Sequence, residues 1–386
     1  MDGTTPAIVV VGYNRPEALR RLLKSLALSD FNSQDITLHI SIDRSGNEEV
    51  YETAQNFNWP YGPKVVDISE VRLGLKNHIL KCGNLTTIYG SVIILEDDLY
   101  VSRNFYAYTQ QTLKAFGEDE RISGISLYSH KWNVIKNRPF VPEYNSCDVF
   151  LMQFAQSWGQ CWNYSMWQAF TSWYNSSPSD EYRRTNIHTK IKNWSESSWL
   201  KHFMAYTVAT NKYFVYPYHS LTTNFNDAGT HTKTLNTGNQ VPLASGTRKY
   251  LIPSFENCVK YDSFFERVGL SEHLGLDEKM LAVDLYASKD ISESVQYLLS
   301  PKPMPYLVKA HYGLKLRPHE LNVIHEVQGD DILLYDLSVP APQPRSTSFE
   351  TFGLIYDLKS ITIKELISVT AFKIIKKIKF LDKLLN

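Results

Sequence analysis

Cysteine is scarce in this chain of 386 residues, and long hydrophobic runs are missing. The four cysteines lie far apart and form no CxxC pair, so we expect reduced thiols in a cytoplasmic protein, not a disulfide framework or a zinc site. No segment approaches the ~20 consecutive apolar residues of a membrane-spanning helix. The polar start and the short apolar run at 7–11 predict no secretory signal peptide. The cysteines are Cys82, Cys147, Cys161 and Cys258.

An excess of charge of either sign is also missing, because 40 Lys and Arg residues balance 40 Asp and Glu residues. A nucleic-acid-binding domain carries a basic face, so we expect no nucleic-acid partner. Hydrophobic residues make up 43% of the chain and aromatic residues 13%, which argues against disorder and indicates a globular protein with a sizeable core. At about 100–200 residues per domain, the length predicts two or three structural units.

The first hundred residues alternate between strand and helix patterns. Continuous apolar runs are typical of strands buried on both faces of a parallel sheet, and helical leucine spacing follows the first of them. The predicted strands are 7–11, 36–42, 64–68 and 91–95, and the predicted helices follow Pro16 and the RLGL segment at 72–75. This β-α-β-α-β order predicts an open α/β sheet flanked by helices.

Polar side chains follow three of these strands. Tyr13-Asn14-Arg15 comes after the first strand, Asp43 after the second, and Glu96-Asp97-Asp98 after the fourth. Ligands of open α/β sheets bind at the carboxyl ends of the strands. No glycine-rich phosphate loop is present, so bound phosphates would need a divalent cation held by the carboxylates, either Mg²⁺ or Mn²⁺. The alternatives are a solvated acidic turn at 96–98 and an ordinary turn residue at Asp43.

Four segments of this half resemble the nucleotide-sugar-binding part of GT-A glycosyltransferases, including the bacterial family 2 enzymes and N-acetylglucosaminyltransferase I. They are VVVGYNRPEALRRLLKSL (Val9–Leu26), SIDRSG (Ser41–Gly46), RLGL (Arg72–Leu75) and VIILEDDL (Val92–Leu99). The resemblance implies a Rossmann-like open mixed sheet that binds a nucleotide-sugar, and we expect a UDP-sugar and a role in a bacterial polysaccharide pathway. It places Gly12, Tyr13, Asn14, Arg15, Asp43, Arg72, Glu96 and Asp97 at the nucleotide, and Asp98 at the Mn²⁺ or Mg²⁺.

Two later segments extend the resemblance. SWGQCW (Ser157–Trp162) is similar to a tryptophan segment of the bacterial enzymes, and Trp158 and Trp162 suit a sugar-binding wall because indole faces stack on sugar rings. Core packing is the alternative for both. The segment 216–231 resembles the end of the same catalytic domain, which implies that His231 contacts the diphosphate or the metal when its loop closes.

A transfer with inversion, which the resemblance implies, needs a general base for the acceptor hydroxyl. The segment Glu196-Ser197-Ser198-Trp199 stands where the resembling eukaryotic enzyme has its aspartates. Glu196 is therefore the first candidate and Asp227 the second, and an exposed loop glutamate is the alternative for Glu196. Because serines stand in place of the expected aspartates, a catalytically inactive, carbohydrate-binding scaffold is an alternative function. A nucleotidyltransferase is a further alternative, although the glycine-rich basic loop usual in that class is missing after the first strand.

The C-terminal segment 361–386 is basic and amphipathic. It carries six lysines against Glu365 and Asp382, and its apolar residues recur at helical spacing. Such helices bind anionic membrane surfaces, so we expect peripheral association with the inner face of the plasma membrane and a glycan or lipid-linked acceptor. A helix packed on the body or on a second subunit is the alternative. The expected domains are a catalytic domain at 1–245, an α+β extension at 246–345, and the linker with its terminal amphipathic helix at 346–386.

Overall fold

The computed structural model describes residues 4–31, 35–225, 227, 239–246, 248–292, 294–344, 349–358 and 362–385. The chain forms two compact units. The first contains residues 1–278 and 288–292, and the second contains 279–287 and 293–386. Residues 246–278, which the sequence analysis assigned to the C-terminal extension, therefore belong to the first unit.

The first unit alternates strands and helices through its first half. Its strands are β1 (Ala7–Gly12), β2 (Leu38–Ile42), β3 (Lys64–Ile68), β4 (Ser91–Glu96), β5 (Leu99–Val101), β6 (Ile122–Ser126), β7 (Trp132–Asn133), β8 (Arg138–Pro139), β9 (Val149–Met152), β10 (Gln160–Asn163), β11 (Tyr213–Pro217), β12 (Thr222–Asn224) and β13 (Lys260–Tyr261). Its helices are α1 (Pro16–Ala27), α2 (Glu48–Asn56), α3 (Leu75–Asn84), α4 (Thr86–Tyr89), α5 (Phe105–Phe116), α6 (Tyr164–Ser176), α7 (Glu181–Arg184), α8 (Thr189–Lys192), α9 (Trp199–Ala209) and α10 (Leu270–Leu274).

One mixed sheet dominates the described part of this unit, with nine strands in the order β13-β9-β11-β6-β10-β4-β1-β2-β3. The strand β1 pairs in parallel with β2 on one side and β4 on the other, so that Val10 lies between Ile40 and Leu95. The strand β10 runs antiparallel between β4 and β6. The predicted α/β fold with an open mixed sheet and flanking helices is therefore confirmed.

The strand order creates a topological switch point between β1 and β4. From β1 the chain proceeds outward to β2 and β3, and it then returns to place β4 on the opposite side of β1. The carboxyl ends of β1 and β4 diverge at such a point, which leaves a crevice for a ligand. All of β1 and all of β4 except Glu96 are buried, so the polar residues at the ends of both strands are held on a rigid edge.

The second unit contains a separate four-stranded sheet in the order β14-β15-β17-β16. Its strands are β14 (Leu281–Val283), β15 (Tyr297–Ser300), β16 (Tyr306–Tyr312) and β17 (Ile332–Pro340). Its helices are α11 (Leu321–Ile324), α12 (Phe349–Leu358) and α13 (Ile363–Leu385), and a 3₁₀ turn occupies Glu278–Met280. Buried Tyr356 attaches α12 to this unit, because its hydroxyl donates a hydrogen bond to the Leu316 carbonyl at 2.5 Å.

The predicted C-terminal helix is present as α13. Thr362 and Glu365 form a capping box at its start, in which the Glu365 carboxylate accepts the Thr362 N–H at 2.7 Å. Apolar side chains of its first half are exposed, with Ile363 77%, Ile367 62% and Phe372 66% accessible. Among the described residues, no helix combines the length and the apolarity required to cross a bilayer.

Candidate functional site

A cavity of about 610 Å³ lies at the carboxyl ends of β1, β2 and β4, at the switch point of the large sheet. Most residues that the sequence singled out line it together. They are Gly12, Tyr13, Asn14, Arg15, Asp43, Arg72, Glu96, Asp97, Asp98, Trp158 and Asp227. Glu196 does not line this cavity, and His231 lies outside the described residues.

The acidic triplet at the end of β4 is paired with Arg15. The Asp97 N–H donates to the Val11 carbonyl at 3.0 Å, which fixes the turn against β1. The Arg15 guanidinium forms an ion pair with the Asp97 carboxylate, and its Nη1 donates to Asp98 Oδ2 at 3.3 Å. The other Asp98 oxygen, Oδ1, is buried and has no hydrogen-bond partner within the described structure. Asp98 lines the cavity, and a cation or a hydrogen-bond donor of a ligand that contacts this unused acceptor would satisfy it.

The pKa values of these groups reflect crowding of negative charge away from water. Burial raises the pKa of Asp97 to about 6, although the ion pair with Arg15 acts in the opposite direction. Burial, followed by the charges of Asp98 and Asp97, raises the pKa of Glu96 well above its usual range. Burial would lower the pKa of Arg15, but the two aspartates more than compensate and raise it, so this side chain stays charged. The cavity edge therefore favours an additional positive charge.

The described residues contain no group of three or more His, Cys, Asp or Glu side chains that could enclose a metal ion. Hard divalent cations at nucleotide sites are held differently, by one or two carboxylates together with phosphate oxygens. The free Oδ1 of Asp98 fits this second arrangement, because it supplies a carboxylate ligand and leaves the other positions to the ligand's own oxygens.

Asp43 has a structural task that its sequence position did not reveal. Its Oδ1 accepts the N–H groups of Arg44 at 2.9 Å and Leu73 at 2.7 Å, and its Oδ2 accepts the Gly74 N–H at 2.9 Å. Gly74 precedes α3 with φ of +74°, a conformation that favours glycine. Asp43 thus connects the end of β2 to the turn that begins α3, and both line the cavity.

Two further residue pairs define the wall next to Asp43. The Arg72 guanidinium carbon lies 5.2 Å from the centre of the Tyr13 ring, a cation–π distance. His78, which the sequence analysis did not select, lines the cavity from α3, and its Nε2 lies 2.9 Å from Ser41 Oγ. Burial lowers the pKa of His78 to about 4, so its imidazole is neutral at pH 7. With eleven histidines in the chain, only the fold distinguishes this one.

The two tryptophans of the 157–162 segment have different environments. Trp158 is half-buried and lines the cavity, and its backbone N–H donates to the Gln156 side-chain oxygen at 3.0 Å. Trp162 is fully buried and packs on Trp167, with ring centres 4.8 Å apart. The expectation that Trp162 contacts a sugar is therefore wrong, because β10 directs this side chain into the core.

The two candidate bases are also separated by the structure. Asp227 lines the cavity, where its carboxylate forms an ion pair with Arg21 of α1. The Glu196 carboxylate instead accepts the Tyr182 hydroxyl at 3.1 Å and forms an ion pair with Lys201 Nζ at 3.0 Å. These partners hold Glu196 beside α7 and α9, and its neighbours in sequence line the cavity in its place.

A surface that the sequence analysis considered only as the place of a general base completes the cavity. We call it the serine–tryptophan wall, and it consists of Trp194, Ser195, Ser197, Ser198, Trp199 and Leu200. It occupies the turn between α8 and α9 and the first residues of α9. The sequence shows a cluster of serines between two tryptophans at this position, but the cluster alone does not reveal that it faces a cavity.

Comparisons with known proteins give distant structural similarity. No protein-family model matches the sequence, and no curated protein matches it either. A mannosyltransferase from Pyrobaculum calidifontis, solved with GDP-Man and Mn²⁺, aligns over 42% of this chain and 45% of its own, with 9% identity and a TM-score of 0.31. S. aureus TarS 1–349 aligns over 55% of this chain and 60% of its own, with 15% identity and a TM-score of 0.33. Its complex with UDP aligns over the same shares of the two chains, with 13% identity and a TM-score of 0.31. The alignments cover less than two thirds of these chains, and TM-scores of 0.31 and 0.33 correspond to distant similarity.

Proposed function

We propose that the chain is a metal-dependent glycosyltransferase that moves a sugar from a nucleotide-sugar to a hydroxyl group of a glycan or lipid-linked acceptor. The UDP derivative, the inverting course and the role in bacterial polysaccharide synthesis follow the family resemblance of the sequence. The observation that carries the proposal is the unpartnered Oδ1 of Asp98, a residue that lines the cavity at the switch point of the sheet. An acidic edge repels a diphosphate unless a cation lies between them.

Each part of the cavity has a role in this proposal. Asp98 would hold Mn²⁺ or Mg²⁺, which offsets the negative charge of a departing nucleoside diphosphate. Tyr13 and Arg72 line the part of the cavity nearest Asp43 and offer an aromatic face and a cation to the nucleotide. Asp227 becomes the preferred candidate for the general base, because it lines the cavity and Glu196 does not. Its ion pair with Arg21 holds the carboxylate in place until an acceptor hydroxyl arrives.

A nucleotide-sugar panel tests this function. UDP-glucose, UDP-N-acetylglucosamine, UDP-galactose and GDP-mannose are added singly to the full chain with Mn²⁺ or with EDTA. A ligand at 100 times its Kd stabilises a protein by about 2.7 kcal/mol. We therefore expect at least one compound to raise the melting temperature by about 5–10 °C in Mn²⁺ and by much less in EDTA. Absence of any metal-dependent shift, together with absence of nucleotide release, would refute the proposal.

We also propose that α13 binds an anionic membrane surface, which would bring a lipid-linked acceptor to the enzyme. The support is its exposed apolar side chains, including Ile363, Leu366, Ile367 and Ile374, combined with six lysines in 361–386. A helix of this composition lies in the headgroup region with its apolar face in the acyl boundary.

Vesicle sedimentation tests the membrane proposal. The full chain should bind vesicles of 30% phosphatidylserine in phosphatidylcholine and bind poorly to pure phosphatidylcholine. Each lysine near the surface contributes about 1 kcal/mol, so changing Lys376, Lys377 and Lys379 to Gln should weaken binding by about a hundredfold. Changing the exposed Lys309 and Lys315 of the second unit to Gln is the matched control and should have no effect. Equal binding to both vesicle types, or an unchanged triple variant, argues against this surface.

A further inference from the structure

We propose that the serine–tryptophan wall binds a carbohydrate ring and that buried Lys201 positions it. This inference rests on the proposed function, since it assigns one wall of the same cavity to the neutral, hydroxyl-rich part of the reactants. It also gives Glu196 a positioning role in place of the catalytic role expected from the sequence.

The chemistry of the wall differs from that of the rest of the cavity. The other lining residues include the charged Arg15, Asp97 and Asp98, whereas none of the six members of the wall is charged. Trp194 is half-buried and offers an aromatic surface for the C–H face of a sugar. Uncharged hydroxyl groups beside an indole match a sugar ring better than they match a diphosphate.

The serines are arranged as a short, ordered turn. Ser195 Oγ lies 2.8 Å from Ser197 Oγ and accepts the Ser197 N–H at 3.2 Å. The Ser198 N–H donates to the Ser195 carbonyl at 2.9 Å, and Ser198 Oγ accepts the Lys201 N–H as the N-cap of α9. A hydroxyl group has one donor and two acceptor positions, so Ser195 and Ser197 retain capacity for a ligand hydroxyl.

The buried side chain of Lys201 contacts this turn and stabilises it. Its side chain is fully buried, and its Nζ donates to the Trp194 carbonyl at 3.2 Å. The same Nζ forms the ion pair with Glu196 at 3.0 Å and lies 4.1 Å from the centre of the Tyr182 ring. Burial of an ammonium group is costly unless it is paired, so these contacts are needed together. They hold the backbone of Trp194 and the side chain of Glu196, the two neighbours of Ser195, and in the proposal they thereby position the turn that carries the Trp194 indole.

The bound ring belongs either to the sugar of the donor or to the sugar of the acceptor. A binding experiment distinguishes these two cases. The full chain, Trp194→Ala and Trp194→Phe are titrated with UDP and with the UDP-sugar selected by the panel, in Mn²⁺, by calorimetry. The same three proteins are applied to an array of immobilised oligosaccharides. Trp132→Ala is the matched control, since Trp132 is 38% exposed and does not line the cavity.

We expect the Kd of UDP to change less than twofold in every variant. Loss of the indole should weaken carbohydrate binding about tenfold in one arm, and Trp194→Phe should recover most of it. A loss confined to the UDP-sugar identifies the donor, and a loss confined to the array identifies the acceptor. Unchanged binding in both arms overturns the inference while UDP binding still supports the glycosyltransferase. Array binding that depends on Trp194 without any UDP binding would refute the proposed glycosyltransferase function. It would still support carbohydrate binding by the serine–tryptophan wall.

Lys201→Met tests the positioning role. It should repeat the Trp194→Ala pattern, with carbohydrate binding weakened severalfold and UDP binding retained, because the nucleotide wall does not depend on the turn. Retained UDP affinity shows that the cavity is still folded, and partial recovery in Lys201→Arg would confirm that the cation is responsible. Equal loss of UDP and carbohydrate affinity would instead mean that Lys201 only supports the fold, and would overturn this role.

Discussion

Replacement of Asp98 by asparagine should lower Mn²⁺-dependent sugar transfer by about a hundredfold or more. The substitution keeps the shape of the side chain but removes its negative charge, and with it the affinity of the unpartnered oxygen for a hard cation. Electrostatic stabilisation of a developing charge typically contributes 10²–10³-fold in rate, so its loss leaves only residual turnover. Initial rates of UDP release, measured across a range of Mn²⁺ concentrations, give the effect directly.

Asp30→Asn is a suitable control for this experiment. Asp30 forms an exposed ion pair with Arg103 and is absent from the cavity lining, so its variant should retain full activity. Binding of Mn²⁺ in the presence of UDP, followed by electron paramagnetic resonance, separates loss of metal from loss of catalysis. If Asp98→Asn keeps more than about a tenth of the activity and binds Mn²⁺ normally, the metal assignment fails.

Replacement of Trp162 by alanine should destabilise the first unit by about 3–5 kcal/mol. The indole is fully buried, and three aromatic rings surround it at centre distances of 4.8–5.7 Å: Trp167, Phe203 and Trp199. Alanine would leave a large cavity at the centre of the sheet and remove these contacts. Denaturation in guanidinium chloride, followed by tyrosine and tryptophan fluorescence, measures the change.

Trp158→Ala provides the comparison within the same segment. Trp158 is half-buried at the cavity, so its removal should cost no more than about 1 kcal/mol of stability. Similar losses in the two variants would contradict the assignment of Trp162 to the core and Trp158 to the site.

The parallel half of the sheet was predictable because β1 and β4 are nearly continuous apolar runs and β2 alternates apolar with polar residues. The strands β1, β3 and β4 begin where the sequence placed them. Every residue of β1 and the first five residues of β4 are buried, whereas β3 contains Lys64 and Asp67 and is mostly half-buried. The antiparallel strands β9 and β10 were not predicted. The strand β10 reads Gln160-Cys161-Trp162-Asn163, a mixture that becomes a strand only because β4 and β6 pair with it.

The site was predictable where its residues directly follow a strand. The triplet 96–98 and the turn 12–15 both line the cavity, because the ends of parallel neighbouring strands share one edge. Roles that depend on distant partners were not predictable. Asp43 binds N–H groups 30 residues further along, and Glu196 is held by Tyr182 and Lys201, which no local pattern indicates.

The position of Arg15 changes how the cavity attracts diffusing molecules. Because its guanidinium lies against Asp97 and Asp98, two adjacent negative charges are partly neutralised inside the protein itself. A negatively charged nucleotide that approaches by diffusion therefore meets a weaker repulsive field than three consecutive acids suggest. Its association rate should in turn vary little with ionic strength, unlike that of a ligand entering an unscreened acidic pocket.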